Sequence, residues 1–415
     1  MIPTSTNILI VGSGVSGFAA AISAAKENKS VVLIEKSNSL GGDSTQTNVG
    51  TICGSFLRSF SGQAHFVGYT FCNDFLNELQ LNSPASKPTL YHEGLYIIPY
   101  EWTVFQELME TKLKEHNVTV LKNIELIGIH KDQNKIQTVT VQNATQTVDI
   151  NMQSIVDCSG NGIVSRLGNL SLIQDKSYQA ASQIFRVKNI EINNEFTLNM
   201  SLKRLMLQMI NENNLSESYL SLSVIPGSLH NRVADIKLTL PEVITDSSEK
   251  NTVIQRKAHQ RIQEIFPILK QHIISLKNAS IEYIFPSLGV RVQQRSKGKY
   301  ILTEDDVLSC RKSEDGIAIG TWPIEEWSND GKLHLSYFEI DSGYYIPADC
   351  LISDELSNLY FAGKNISATS RAIASARVIG TGLQTGYAAG KLACSANDVQ
   401  RKNIVNVLHR ELHPD

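Results

Sequence analysis

The sequence predicts an α/β fold: a parallel sheet begins at the N-terminus and is completed by a segment near the C-terminus, with a β-rich α+β domain inserted between them. Three observations predict it. The stretch "NILIVGSGVSGFAAAISAAKENKSVVLIEK" sets a short β-branched run, closely spaced glycines and an alanine-rich helical pattern in succession. A second Ala/Gly-rich helical pattern follows a strand late in the chain, in "LSNLYFAGKNISATSRAIASARVIGTGLQTGYAAGKLA". From about residue 178 to 345, strand-like runs alternate with helices instead. The 415 residues exceed what one simple core fills. The expected division is 1–177 with 346–415 as one domain and 178–345 as the other.

The N-terminal unit begins with a strand over Asn7 to Val11, followed by Gly12-x-Gly14-x-x-Gly17 and a helix with a small face of Ala19, Ala20, Ala21, Ala24 and Ala25. Gly12 allows a tight turn, Gly14 lets backbone approach a pyrophosphate, and Gly17 lets helix and strand pack closely. Val15 and Ser16 stand in the helix's first turn, whose N–H groups and dipole favour phosphate. Asn28 suits the left-handed cap that ends such a helix. A second strand, Val31 to Ile34, ends on Glu35, about 20 residues past the glycines, where a carboxylate can accept from a ribose. Strand, glycines, helix, strand and acid in this order form a Rossmann-like dinucleotide site. Gly12, Gly14, Val15, Ser16, Gly17, Glu35 and the adjacent Lys36 are its candidate contacts.

The next loop, "KSNSLGGDSTQTNVGTICG", favours FAD over a nicotinamide. Gly41 and Gly42 let the chain pass a pyrophosphate, and Ser44, Thr45 and Thr47 offer hydroxyls to a ribityl chain, an arrangement similar to glutathione-reductase-type flavoproteins. Such a site needs returning segments, and two are present. "QSIVDCSGNGIVSRLGN" runs from a strand at Ile155 and Val156 into a small-residue turn with Ser159 and Gly160. The strand Leu359 to Ala362 ends at Gly363 and Lys364. A helix from about Ser375, carrying Gly382 and Leu383, would aim its N-terminus at the flavin N1–C2=O edge.

Together with "SLGVRVQQRSKGKYILTEDDV", "DGIAIGTWPIE" and "YYIPADCLIS", these segments resemble the FAD-dependent oxidoreductase family, itself distantly related to fumarate reductase and tRNA-modifying flavoproteins. The resemblance implies an FAD-binding α/β domain, an inserted substrate domain, and FAD contacts at Gly12, Gly14, Gly17, Glu35, Gly42, Gly363 and Gly382. Arg291, Arg295 and Arg377 match arginines of the family pattern near the active site. The chain departs from that pattern at Val292 and Gln294, at Glu325 and Trp327, and at Ser370 and Arg371.

The expected activity is transfer of a hydride from a small organic substrate to flavin N5, with electrons passed to oxygen, a quinone or another carrier. Arg291 and Arg295 are candidate anchors for a carboxylate or other anion, structural ion pairing being the alternative. Arg371 and Arg377 lie on the segment entering the last Ala/Gly-rich helix. Tyr345, with Tyr344, could donate a proton or stack on the ring, or pack in the core. His65 and His92 are possible bases. Cys53 raises covalent flavin attachment, while Cys158 fits the small-residue turn. An NAD(P)H-fed monooxygenase is the alternative enzyme, since "GNGIVSRLG" resembles the aromatic hydroxylases; a flavoprotein acting on RNA or without net redox is a further reading. A disulfide reductase is disfavoured: there is no second nicotinamide fingerprint, and the six cysteines form no C-x-x-C pair and no metal-ligand set.

A net charge of -3 with scattered Lys and Arg disfavours nucleic acid as a partner. The uncharged stretch from Ile8 to Ala25 is broken by glycines and lacks flanking basic residues, so no membrane span is expected, and a cytoplasmic location is. The remaining helices are expected at Phe66 to Leu81, Trp102 to His116, Leu198 to Glu212 and Thr252 to Leu276. Strands are expected near Val118 to His130 and Ile136 to Ile150.

Overall fold

The computed structural model describes residues 2–175, 179–242, 244, 248–328 and 332–412. β1 (Ser5–Val11), α1 (Val15–Lys26) and β2 (Val31–Glu35) form the opening unit, so the uncharged stretch is strand, turn and helix. Among the described residues no helix is long and apolar enough to cross a membrane. Ile8 to Val11 and Val31 to Ile34 are continuous apolar runs because both faces of the sheet are covered there. Ile8, Ile10, Val31 and Leu33 enter one core beside α1, while Leu9, Val11, Val32 and Ile34 enter another behind the sheet. Asn28 ends α1 at φ 57, the left-handed cap expected of it.

After α2 (Asp43–Gln46) and β3 (Thr51–Ile52) comes α3 (Thr70–Asn82). It starts later than the pattern from Phe66 suggests, because Phe66 bridges to Phe56 by backbone and packs edge-on against its ring at 6.1 Å. The hairpin β4 (Thr89–His92) and β5 (Leu95–Pro99), α4 (Trp102–Glu115), β6 (Thr119–Lys122), β7 (Glu125–Asp132), β8 (Lys135–Gln142) and β9 (Thr147–Asp157) follow. The main sheet runs β6–β2–β1–β9 in parallel, extended by antiparallel β8 and β7.

α5 (Ile163–Leu167) and β10 (Leu172–Ile173) lead into a second body of β11 (Ser182–Lys188), α6 (Glu195–Asn211), β12 (Ser223–Val224), β13 (Val233–Thr239), α7 (Ser248–His272) and β14 (Ser280–Ile284). Its antiparallel sheet, β12–β13–β11–β14, packs Phe185, Val187, Ala234, Ile236 and Leu238 against α6 and α7 in a separate core. Strand alternation turns Ile184, Arg186, Asp235 and Lys237 the other way, towards the first body. There Arg186 clamps the joint. Its Nη1 and Nη2 donate to the Glu101 carboxylate at 3.0 and 3.1 Å, and its Nε and Nη2 to Asp235 at 2.7 and 2.8 Å. Asn48 Nδ2 also donates to Asp235 at 2.7 Å.

β15 (Arg295–Ser296), α8 (Glu304–Leu308), β16 (Gly316–Gly320), β17 (Ile324–Trp327), β18 (Leu333–Ser336) and β19 (Tyr344–Pro347) come next. The expected division grouped this stretch with the second body. Its apolar side chains, among them Val292, Leu302, Ile317, Ile324 and Tyr344, pack in the core of the first. Short strands look alike in sequence whichever core they fill; on this packing we place the second body's end near residue 290.

β20 (Leu359–Phe361) then returns to the main sheet beside β9, with Leu359 opposite Ile155. The late Ala/Gly-rich pattern is two helices, α9 (Ser370–Ala376) and α10 (Ile379–Ala393), because Val378 is extended at ψ 159. α11 (Asp398–Leu412) covers the end. Gly386 and Gly390, one turn apart on α10, face Ser16 and Ala20 of α1, and a Cβ on either would overlap that backbone. Ser23 Oγ donates to Tyr387 O at 2.6 Å across the same contact.

Alanine favours a helix over glycine by about 1 kcal/mol, yet overpacking costs roughly 1–3 kcal/mol, and backbone cannot rotate away as a side chain can. Gly390→Ala is expected to lower the urea unfolding midpoint, with a net loss of about 1 kcal/mol.

Candidate cofactor cleft and active site

A cleft of about 1700 Å³ lies between the two bodies. At one end it is lined by Gly12, Gly14, Val15 and Ser16 of the first turn, Glu35 and Lys36 at the end of β2, and Gly41, Gly42 and Ser44 of the following loop. Ser159, Gly160 and Asn161 after β9, Gly363 and Lys364 after β20, and Gly382 on α10 join them. Segments hundreds of residues apart thus meet, because β1, β9 and β20 are neighbours in one sheet and end on the same side.

The local chemistry of this end suits an elongated anion. No side chain caps α1, so its first N–H groups stand at the cleft wall. A Cβ on Gly14 would meet no atom within 4 Å, whereas one on Gly12, held at φ 95, would lie 2.8 Å from Cys158 O. Glu35 accepts from Ser13 N and Oγ at 2.9 and 2.7 Å and from Ser37 N and Oγ at 2.9 Å each. The two hydroxyl donors can rotate away and yield to a ligand diol. Asn161 Oδ1 is buried with no partner among the described residues. Lys364 Nζ pairs with Asp43 and donates to Val290 O at 2.8 Å, tying both bodies across the cleft.

Three of the residues expected to contact a cofactor stand behind the wall. Gly17 packs against Gly12 O, Thr45 Oγ1 donates to Leu40 O, and Leu383 is buried in the core. They shape the lining without forming it.

At the inner end Cys53, Lys237, Arg291, Trp322, Glu325, Trp327, Arg377 and Val378 line one chamber. Glu325 is its hub: Trp322 Nε1 and Trp327 Nε1 each donate to its carboxylate at 2.7 Å, and Arg377 Nη2 lies 3.5 Å from it. Burial would lift this carboxyl, but Arg377, the two indoles and Arg291 outweigh burial and hold it down at about 2. Arg291 and Lys237 both lie over the Trp327 ring, at 4.5 and 4.7 Å. Burial and then Arg291 bring Lys237 down to about 8, against the opposing pull of Glu325 and Cys53. Burial, then Arg377, also press Arg291 downward. A guanidinium stays protonated in proteins, so that pressure marks a chamber short of negative charge.

Arg291 and Arg377 therefore stand where the sequence placed them, beside the cleft. Arg295 does not. Its side chain is fully buried, donating to both Asp175 carboxylate oxygens at 2.7 and 3.0 Å and to Ala368 O at 2.8 Å. Pairing of β15 with β10 turns it inward, where it holds the strand that follows Arg291. Tyr345 also lies elsewhere, with Lys312 Nζ 4.5 Å over its ring and the His409 ring 6.1 Å away. Tyr344, on the opposite face of β19, is buried with its hydroxyl 2.8 Å from Ser375 Oγ. His65 and Arg371 are outside the lining, Arg371 pairing with Glu326 at 3.3 Å; His92 reaches the cleft. The six cysteines are unpaired. Lys237 was not among the expected residues. The available signal was "VADIKLT", where Asp235 and Lys237 alternate with Ala234, Ile236 and Leu238 and so share a face that ordinary burial would not choose.

The FAD dependent oxidoreductase family profile matches residues 7–412. The chain belongs to that family. No curated protein matches it significantly. Among solved structures it is similar to the anhydrotetracycline hydroxylase OxyS from Streptomyces rimosus, at 11% identity and a TM-score of 0.51, covering 99% of this chain and 66% of that one. It is equally similar in fold to BexE, a protein of oxidation during BE-7585A biosynthesis, at 13% identity and a TM-score of 0.51, with the same 99% and 66% coverage. The chain thus spans slightly under two thirds of each, and the likeness is one of fold. The family's FAD fits this cleft: the uncapped α1 terminus and open Gly14 suit its pyrophosphate, and Glu35 its adenosine ribose.

Gly14→Ala is expected to fold normally yet bind FAD at least about tenfold more weakly, because its methyl occupies open cleft. Gly12→Ala should fail at folding instead. Visible absorbance with circular dichroism separates the two outcomes. Cys53, pushed up to about 12 by burial and then by Glu325, remains a thiol at neutral pH. Its alkylation by iodoacetamide should stay slow at about pH 8 and rise steeply only well above it. Rapid labelling there would contradict this placement.

Proposed function

We propose that this flavoprotein is a dehydrogenase or oxidase that takes a hydride from a small organic substrate held in the inner chamber. The observation that carries the reading is the continuity of one cleft from the phosphate-holding turn to a walled chamber of tryptophan, cation and carboxylate. FAD, when bound, would accept two electrons as hydride and hand them to oxygen, a quinone or another carrier. The substrate would lose that hydride to the flavin and one proton to the water of the open cleft.

The chain's own residues prepare the place. Val378, Ile379 and Gly382 put the α10 N-terminus at the cleft wall, where its dipole favours negative charge. Gly380 N–H donates to Cys53 O at 2.8 Å, which fixes the loop carrying Cys53 beneath that helix. With Cys53 held as a thiol at neutral pH, the flavin is expected to be released intact on denaturation. Trp322, Trp327 and Leu335 give the chamber apolar walls that limit water.

The purified protein should be yellow, and under anaerobic conditions an organic substrate alone should bleach it. Bleaching only by NADPH would replace this reading with an NAD(P)H-fed monooxygenase. A colourless protein that takes up no FAD would end both.

A further inference from the structure

We infer that the inner chamber is built for a carboxylate, so that the substrate is an organic acid whose carboxylate is gripped by Lys237, Arg291 and Arg377 and whose body is apolar. The inference rests on the reading that this chamber is the substrate site.

Charge within the chamber does not balance. Among the described residues at this end, Lys237, Arg291 and Arg377 bring three cations and Glu325 brings one carboxylate. Both oxygens of that carboxylate already accept an indole N–H, at 2.7 Å each. Arg377 Nη2 donates to the Glu325 backbone carbonyl at 3.2 Å and stands 3.5 Å from its carboxylate, and its buried Nε has no partner among the described residues. Arg291 donates to the Ala180 carbonyl and rests on Trp327, without a carboxylate of its own among the described residues. Lys237 likewise has the Trp327 face, at 4.7 Å, in place of an ion pair. Cations half-withdrawn from water in this way are favoured by a pairing anion. An anion placed among them would satisfy donors that the protein leaves open.

The geometry favours a carboxylate. One guanidinium and one ammonium lie over the flat face of Trp327, a second guanidinium stands against Glu325, the carboxylate that Trp327 Nε1 holds, and a planar two-oxygen acceptor suits guanidinium forks. The walls and exit are apolar or aromatic: Trp322, Val378, Leu335, Leu333, Tyr91 and Leu90. A small inorganic anion would leave those surfaces unused, whereas an aryl or alkyl acid covers them.

Lys237 gives this site a pH signature. The groups that face it are Arg291, Glu325, Cys53 and Arg377, with the Trp327 ring. Tyr91, towards the exit, couples in turn to Cys53, Glu325, Tyr337 and Glu195, the last of which is engaged by the Gly227 and Leu229 N–H groups. Burial and Arg291 hold the Lys237 ammonium at about 8. Below that pH the ammonium is already present and the affinity for an anion is flat. Above it, binding must first restore a proton, so affinity falls as pH rises.

The test uses the FAD-loaded protein and three probes, benzoate, its neutral isostere benzamide, and inorganic phosphate. Binding is read from quenching of indole fluorescence, two of the three tryptophans standing in the chamber. Benzoate should bind at least about tenfold more tightly than benzamide and than phosphate, and should weaken by about tenfold per pH unit above 8. Arg291→Gln should weaken benzoate by about 10- to 100-fold. Lys237→Gln should weaken it and abolish the pH dependence, while Lys237→Arg restores tight binding without that dependence. Flavin content reports that each variant folds. Benzamide binding as well as benzoate, phosphate binding as well as benzoate, or Lys237→Gln binding benzoate as tightly as wild type would each overturn the proposal. If benzoate binds as expected but no organic acid bleaches the flavin, the acid site stands and the dehydrogenase reading falls.

Discussion

The close approach of α1 to α10 is the constraint on which the site depends. Both helices begin at the cleft, one after Gly14 and the other after Val378, and their spacing sets how far apart two helix N-termini stand. Gly386 and Gly390 make that spacing possible because nothing larger than hydrogen fits against the Ser16 and Ala20 backbone. A wider helix pair would carry the phosphate-binding turn away from Gly382. The cleft is therefore held open by contacts on the far side of its own wall.

The second body is fixed by a different kind of force. Arg186 binds Glu101 of the first body and Asp235 of its own, and Asn48 reaches across to the same aspartate. A half-buried network of this kind is sensitive to geometry, since a partner left unpaired there is costly. It sits two residues along β13 from Lys237. The clamp that joins the two bodies thus also sets where one of the chamber's cations stands, and domain placement and substrate chemistry are linked through a single strand.

Much of the first body could be read directly. Gly12, Gly14 and Glu35 carry their meaning locally, because a turn, a helix start and a strand end lie within one short segment. Asn28 announced its left-handed cap for the same reason. The fate of Arg295 and Tyr345 was not readable in this way. Each sits on a short strand where alternation alone leaves two faces, and only the pairing of β15 with β10, or the packing of α11, selects between them. Arg295 acts at a distance, by fixing the strand behind Arg291. Lys237 was hidden for the opposite reason: its sequence neighbours describe the core behind it, and its partners come from segments far along the chain.

The sequence by itself determined the dinucleotide turn, the flavin-type loop after it, the returning strand and the family, because those features are written in contiguous spacing of glycine, apolar run and acid. Only the tertiary structure decided where the second core ends, which of the arginines face the cleft, and that three cations and one carboxylate gather, among the described residues, in a half-buried chamber. Charge balance in such a chamber is a sum over residues brought together from β13, the segment after β14, β17 and the break between α9 and α10. Burial and distance fix that sum, and neither is a property of any one stretch of chain.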